Sequence, residues 1–175
     1  AVALATDALA KIDKALTDFR LNEAANTLYE FVWGVVCDWY VELTKPIVQG
    51  ADGPDKDETR AITAFVRRET VKLMHPVMPF ITEELWDKLG HRAEHGPLIG
   101  QPWPAPTAID TAADAEMGWL VKLIQDIRSA RAELNVPAGA KLKLLVIGGN
   151  DTTAAQLETH RAAIERLARI EGVEA

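Results

Sequence analysis

The residues best suited to chemistry in this chain are cations and amides set beside a run of large aromatics. Arg20 and Asn22 precede a helix-length stretch, 31–43, that holds Phe31, Trp33, Trp39 and Tyr40. A guanidinium can stack on a nucleic-acid base or fork onto it, and a carboxamide can pair with a base edge. Asn22 is equally well suited to cap a helix N-terminus. Arg67, Arg68 and Lys72 fall on one side of a later helical segment. They are either a solvated charged face or, with cations from a neighbouring helix, a phosphate site. Arg128 and Arg131 are three apart near the end of another helical segment, where cations favour the negative end of the dipole.

Catalytic signatures are missing from the sequence. It has no glycine-rich phosphate loop, no nucleophile elbow and no paired-cysteine zinc pattern. His91 and His95 are four apart with Glu94 between them, but glycines flank the pair and no third ligand is set by spacing. The expectation is a chain with no catalytic residues and no metal.

The 175 residues are 48% hydrophobic and 26% charged, enough to bury a core, and the net charge is −7. An acidic chain is not a general nucleic-acid coat, so any phosphate contact must be a local basic patch. A single cysteine, Cys37, excludes an internal disulfide framework and fits a reducing compartment. No apolar run reaches the length of a membrane span and no secretory signal opens the chain. A cytoplasmic protein with no membrane association is expected, and the abrupt start within a helical pattern suggests a fragment.

Helical periodicity predicts a first helix from Val2 to Phe19, with Leu4, Ala8, Ile12, Leu16 and Phe19 on one stripe. A second runs from Leu21 to Lys45 and is stopped by Pro46. It carries one apolar face of Leu28, Phe31, Val32, Val35, Trp39 and Leu43, and beside it a second strip of Tyr29, Trp33, Val36 and Tyr40. Such a helix sits inside a bundle or offers aromatic surface to a ligand. Asp55 and Glu58 resemble a capping box that opens a third helix, burying Ile62, Phe65, Val66 and Leu73 and ended or kinked by Pro76. Pro79 opens a short fourth with Phe80, Ile81, Leu85, Trp86 and Leu89, which stops near Gly90. A Pro/Gly-rich connection follows from His91 to Thr107. A fifth helix spans Ala112 to Leu134, Leu142 to Ile147 reads as one strand, and Thr152 to Ile170 as a last helix that packs loosely. The strand needs a partner beyond Ala175, elsewhere in the chain or in another copy. The fold class is mainly α, with a division into 1–108 and 109–175.

Three segments carry a family resemblance: 20–45 with its Cys37-Asp38-Trp39-Tyr40-Val41-Glu42 core, the corner His75-Pro76-Val77-Met78-Pro79-Phe80-Ile81-Thr82-Glu83-Glu84-Leu85-Trp86, and 127–136. In order and over nearly the whole chain they resemble the bacterial valyl-tRNA synthetases, class I aminoacyl-tRNA synthetases. The corner recurs among the class I enzymes for branched aliphatic amino acids, while Cys-Asp-Trp-Tyr followed by Glu and Lys points to the valine branch. The resemblance implies the anticodon-binding helical bundle over 1–108, and over 109–175 the last bundle helix with the single strand and helix of a truncated α/β segment. It implies valine tRNA and the remaining domains of the synthetase as partners, and a monomeric protein. ATP and Mg2+ belong to the parent enzyme and no cofactor to this fragment, since neither ATP-site signature of the class occurs here. On this resemblance Arg20, Asn22, Trp33 and Lys45 are expected around the bound loop, with Arg67, Arg68 and Arg128 on phosphates. The alternatives are the same domain of an isoleucine, leucine or methionine enzyme, or a helical protein-interaction domain.

Overall fold

The computed structural model describes residues 2–106 and 109–174 and divides the chain into two compact units, 1–109 and 110–175. The boundary expected between 108 and 109 adjoins residues 107 and 108, which lie outside the described residues.

The first unit is built on three long helical rods. Helix α1 (Val2–Thr17) turns one face inward through Ala8, Leu9, Ile12 and Ala15. These pack against Ala24, Leu28 and Phe31 of the second rod and Leu73 of the third. The second rod comprises α2 (Leu21–Tyr29), a π-helical segment (Glu30–Tyr40) and α3 (Val41–Gln49). The π geometry is marked by the Val41 N–H, which donates to the carbonyl of Val36 five residues back. Wider turns at this place shift the phase of the helix. Leu28 and Phe31 are buried, whereas of the expected second apolar strip Val36 and Tyr40 are half-buried and Tyr29 and Trp33 are exposed.

Pro46 does not stop this rod: α3 carries it inside the helix and continues to Gln49. Its fixed φ suits a helix, and its cost is confined to one lost bond to the preceding turn. Helix α4 (Pro54–Met74) starts one residue before the expected capping box. Pro54 occupies the first helical position, Gly53 stands at the N-cap, and Asp55 lies within the first turn, where its charge favours the positive dipole end. The buried side of α4 is Val66, Thr70, Val71 and Leu73; Ile62 is exposed.

The proline corner separates α4 from α5 (Pro79–Lys88) as expected, but the phase of α5 differs. Thr82 and Trp86 point inward, while Phe80 is 91% exposed and Ile81 is exposed too. The Thr82 hydroxyl explains this. It donates to the carbonyl of Met78 at 2.7 Å and lies 2.8 Å from His75 Nδ1, which pins that face of the helix to the corner. After Gly90, in the left-handed region at φ 82°, the connection is ordered as α6 (His91–His95) and a short 3-10 turn (Leu98–Gly100). Trp86 anchors it by donating from Nε1 to the Gly96 carbonyl at 2.9 Å and packing on Val71 and Leu98.

The second unit begins with α7 (Thr111–Glu133), capped by Asp110, whose carboxylate accepts from the N–H groups of Ala112 and Ala113. Strand β1 (Leu142–Leu145) is followed by α8 (Asp151–Thr159) and α9 (Arg161–Ala168) in place of one last helix. Ile170 opens β2 (Ile170–Glu174), which pairs parallel with β1, Leu144 opposite Val173. The partner of the predicted strand therefore comes from this chain. Arg169, at φ 54°, makes the reversal from α9 into β2. The expected loose packing is not found. Ile164 is fully buried, and Leu157, Leu167 and Ala168 are buried with it.

Candidate nucleic-acid interface

Along the second rod one line of exposed residues stands out. Asn22, Asn26, Tyr29, Trp33 and Cys37 recur at spacings of four, three, four and four, and each is exposed. In a helix such spacings place side chains on one face. Tyr29 and Trp33 are 66% and 58% exposed, with rings within 6° of parallel and centroids 6.5 Å apart. Two amides followed by two parallel aromatic rings offer hydrogen bonds to base edges and π faces for stacking. Tyr29 and Asn26 were absent from the sequence-derived candidates. The 22/26/29/33 spacing is the available signal; the sequence reading groups Tyr29 with a second apolar strip and leaves open whether that strip is core or ligand surface.

The other candidates are placed as follows. Arg20 precedes α2, its Nη1 3.0 Å from Glu23 Oε2, with its side chain more than half exposed. It occupies the N-cap position without a side-chain cap; Asn22 lies inside the helix, which rules out its capping role. Lys45 pairs with Glu42 on α3. Arg68 lies 5.5 Å over the Phe65 ring and donates from Nε to Glu69 Oε1 at 2.8 Å, with Lys72 3.5 Å from the same oxygen. Arg67 is exposed and forms no ion pair among the described residues. Burial, together with the charges of Arg67 and Arg68, holds the His91 imidazole below its ordinary pKa, so both guanidiniums are felt at α6. Arg20, Asn22 and Trp33 thus share one rod, while Arg67 and Arg68 sit on α4.

Arg128 is in the second unit, where its Nε donates to the carbonyl of Leu167 at 2.9 Å. Arg131 does more of the same, reaching the carbonyls of Ala140, Pro137 and Arg169. Among the described residues no three His, Cys, Asp or Glu side chains come together to hold a metal ion, and no helix is long and apolar enough to cross a membrane.

The sequence pattern of the family described as the anticodon-binding domain of tRNA ligase matches residues 2–146. The chain belongs to this family. Within it, the chain is 48% identical to the valine–tRNA ligase of Agrobacterium fabrum over 167 residues, 93% of this chain and 17% of that ligase. It is 49% identical to that of Caulobacter vibrioides over 172 residues, 94% of this chain and 19% of the ligase. It is 47% identical to that of Rhizobium meliloti over 165 residues, with shares of 93% and 17%. This anticodon-binding domain therefore spans less than one fifth of the length of the relatives it matches. Its mainly helical architecture fits the bundle expected of the family.

Proposed function

We propose that this chain is the anticodon-recognition module of a valine–tRNA ligase. It grips the anticodon loop of valine tRNA so that the distant acceptor end reaches the aminoacylation site. That site, with its ATP and Mg2+, belongs to the rest of the longer protein, and the module itself catalyses nothing and binds no cofactor. The protein works in the cytoplasm as a monomer.

The observation that carries this reading is the exposed, parallel Tyr29–Trp33 pair aligned with Asn22 and Asn26 on a chain of the anticodon-binding family. Single-stranded loop bases are recognised by stacking on aromatics and by hydrogen bonds to their edges, while phosphates are held by Arg and Lys. On an acidic chain this requires a local patch. Arg20 at the start of the same rod and Arg67 with Arg68 on α4 supply cations to the first unit, Lys45 adds one on α3, and Arg128 is the phosphate candidate of the second unit.

The test is titration of the chain with a valine tRNA transcript and with the same transcript carrying a changed anticodon, over a series of salt concentrations. Tighter binding of the intact anticodon supports recognition. Equal binding of both removes it, and binding to neither turns the aromatic face into a protein-docking surface. Arg67→Ala is expected to weaken both transcripts alike and to lower the salt slope by about one.

A further inference from the structure

Helix α1 ends in a turn where the Phe19 N–H donates to Leu16 and the Arg20 N–H to Ala15, the paired bonds of a Schellman motif. The residue at the centre of that motif adopts the left-handed conformation, for which glycine is the usual choice. Here it is Phe19, at φ 57°. The end of α7 makes the same two bonds with Asn135 at φ 51°, a residue that tolerates the conformation. A bulky aromatic in this region is an outlier. Packing does not account for it, because Phe19 is 88% exposed and takes part in no ring contact or core cluster among the described residues.

What Phe19 gains is position. It stands beside Arg20 in the corner that immediately precedes the rod carrying the exposed Asn22, Asn26, Tyr29 and Trp33. Strain held at an exposed site suggests use in binding. A bare aromatic ring next to a guanidinium is suited to an unstacked nucleobase, with the cation on its phosphate.

We infer that Phe19 is a base-stacking residue, which takes an unpaired base of the bound RNA loop at the α1–α2 corner, at the opposite end of the amide series from the Tyr29–Trp33 rings. This rests on the anticodon-loop reading proposed above.

The strain makes the inference testable, because Phe19→Gly removes the ring and suits the backbone. The 175-residue chain is titrated with an anticodon stem-loop hairpin of valine tRNA carrying 2-aminopurine in the loop, whose fluorescence falls on stacking. Phe19→Gly is expected to melt no lower than the parent chain, to weaken hairpin binding by about 5- to 100-fold with an unchanged salt slope, and to lose quenching at one loop position. Phe19→Trp keeps both affinity and quenching. If the parent chain binds and Phe19→Gly binds as tightly, the inference fails and the anticodon reading stands. Equal losses in Phe19→Gly and Phe19→Trp overturn stacking in favour of a packing role. A parent chain that binds no hairpin overturns the inference and the reading together.

Discussion

Tyr29 and Trp33 hold their rings 6° from parallel, 6.5 Å between centroids, on the outer face of the rod whose inner face carries the buried Leu28 and Phe31. The pair stands on backbone that the core already fixes, so its orientation costs little when a ligand arrives. For the anticodon reading proposed above, that is preorganisation of a stacking platform.

Trp33→Ala separates binding from folding. Its ring is more than half exposed, so the expected change in stability is within about 0.5 kcal/mol. Loss of a stacked base costs about 1–3 kcal/mol in RNA affinity. Urea melts together with valine tRNA titrations check both numbers. A variant that loses stability without losing affinity would assign Trp33 to the core.

The Thr82 side chain is expected to stabilise the proline corner through its hydroxyl rather than its methyl. It is fully buried, bonded to Met78 O and 2.8 Å from His75 Nδ1. Thr82→Val keeps the shape and leaves the imidazole nitrogen without that partner, at a cost of about 1–3 kcal/mol. The midpoint of urea denaturation measures it, and Thr82→Ser, which restores the hydroxyl, should recover part of the loss.

Much of this fold was legible in the sequence because long amphipathic helices announce themselves: α1 and α7 lie within about two residues of their expected bounds. What escaped was phase. Trp33 faces outward from the π segment, as Tyr29 does from the end of α2, and the Thr82 hydroxyl turns Phe80 outward; neither follows from apolar periodicity at 3.6 residues per turn. The β1 partner was hidden because Ile170 also completed the apolar pattern of the preceding helix. Of the residues proposed to bind, Trp33 was readable from its type and setting. Phe19 was not, because its spacing fitted the α1 stripe and only its backbone conformation and exposure set it apart.

Arg131 is expected to hold the second unit together from the end of α7. Its guanidinium reaches Ala140 O at 2.7 Å, Pro137 O at 3.2 Å and Arg169 O at 3.3 Å, tying the loop before β1 to the turn before β2. Arg131→Met leaves these carbonyls without the guanidinium and should cost about 1–3 kcal/mol. Arg131→Lys should recover little, because an ammonium lacks the fork that spans separated acceptors. Hydrogen exchange that quickens across 142–145 and 170–174 in both variants checks this; unchanged protection in Arg131→Met would show that the fork is dispensable.

His91 gives unit one a pH dependence of definite sign. Its ring packs 4.6 Å from Trp86, and burial, followed by Arg67 and Arg68 from α4 and His95 from α6, lowers its pKa below the ordinary 6.5, with only Glu94 opposing. The unfolded chain therefore binds a proton at this residue more readily than the folded one. The neutral ring's stabilising contribution is complete above about pH 6.5 and is lost as the pH falls through and below that value. His91→Phe keeps a ring against Trp86 and removes the titration, so its urea midpoint should fall less than that of the parent chain between pH 7.5 and 5. Parallel losses in the two proteins would place the acid sensitivity elsewhere. The same repulsion acts in reverse: a phosphate bound at Arg67 and Arg68 would screen their charge and raise the His91 pKa, so that saturating tRNA should shrink the acid-induced loss in the parent chain and not in His91→Phe.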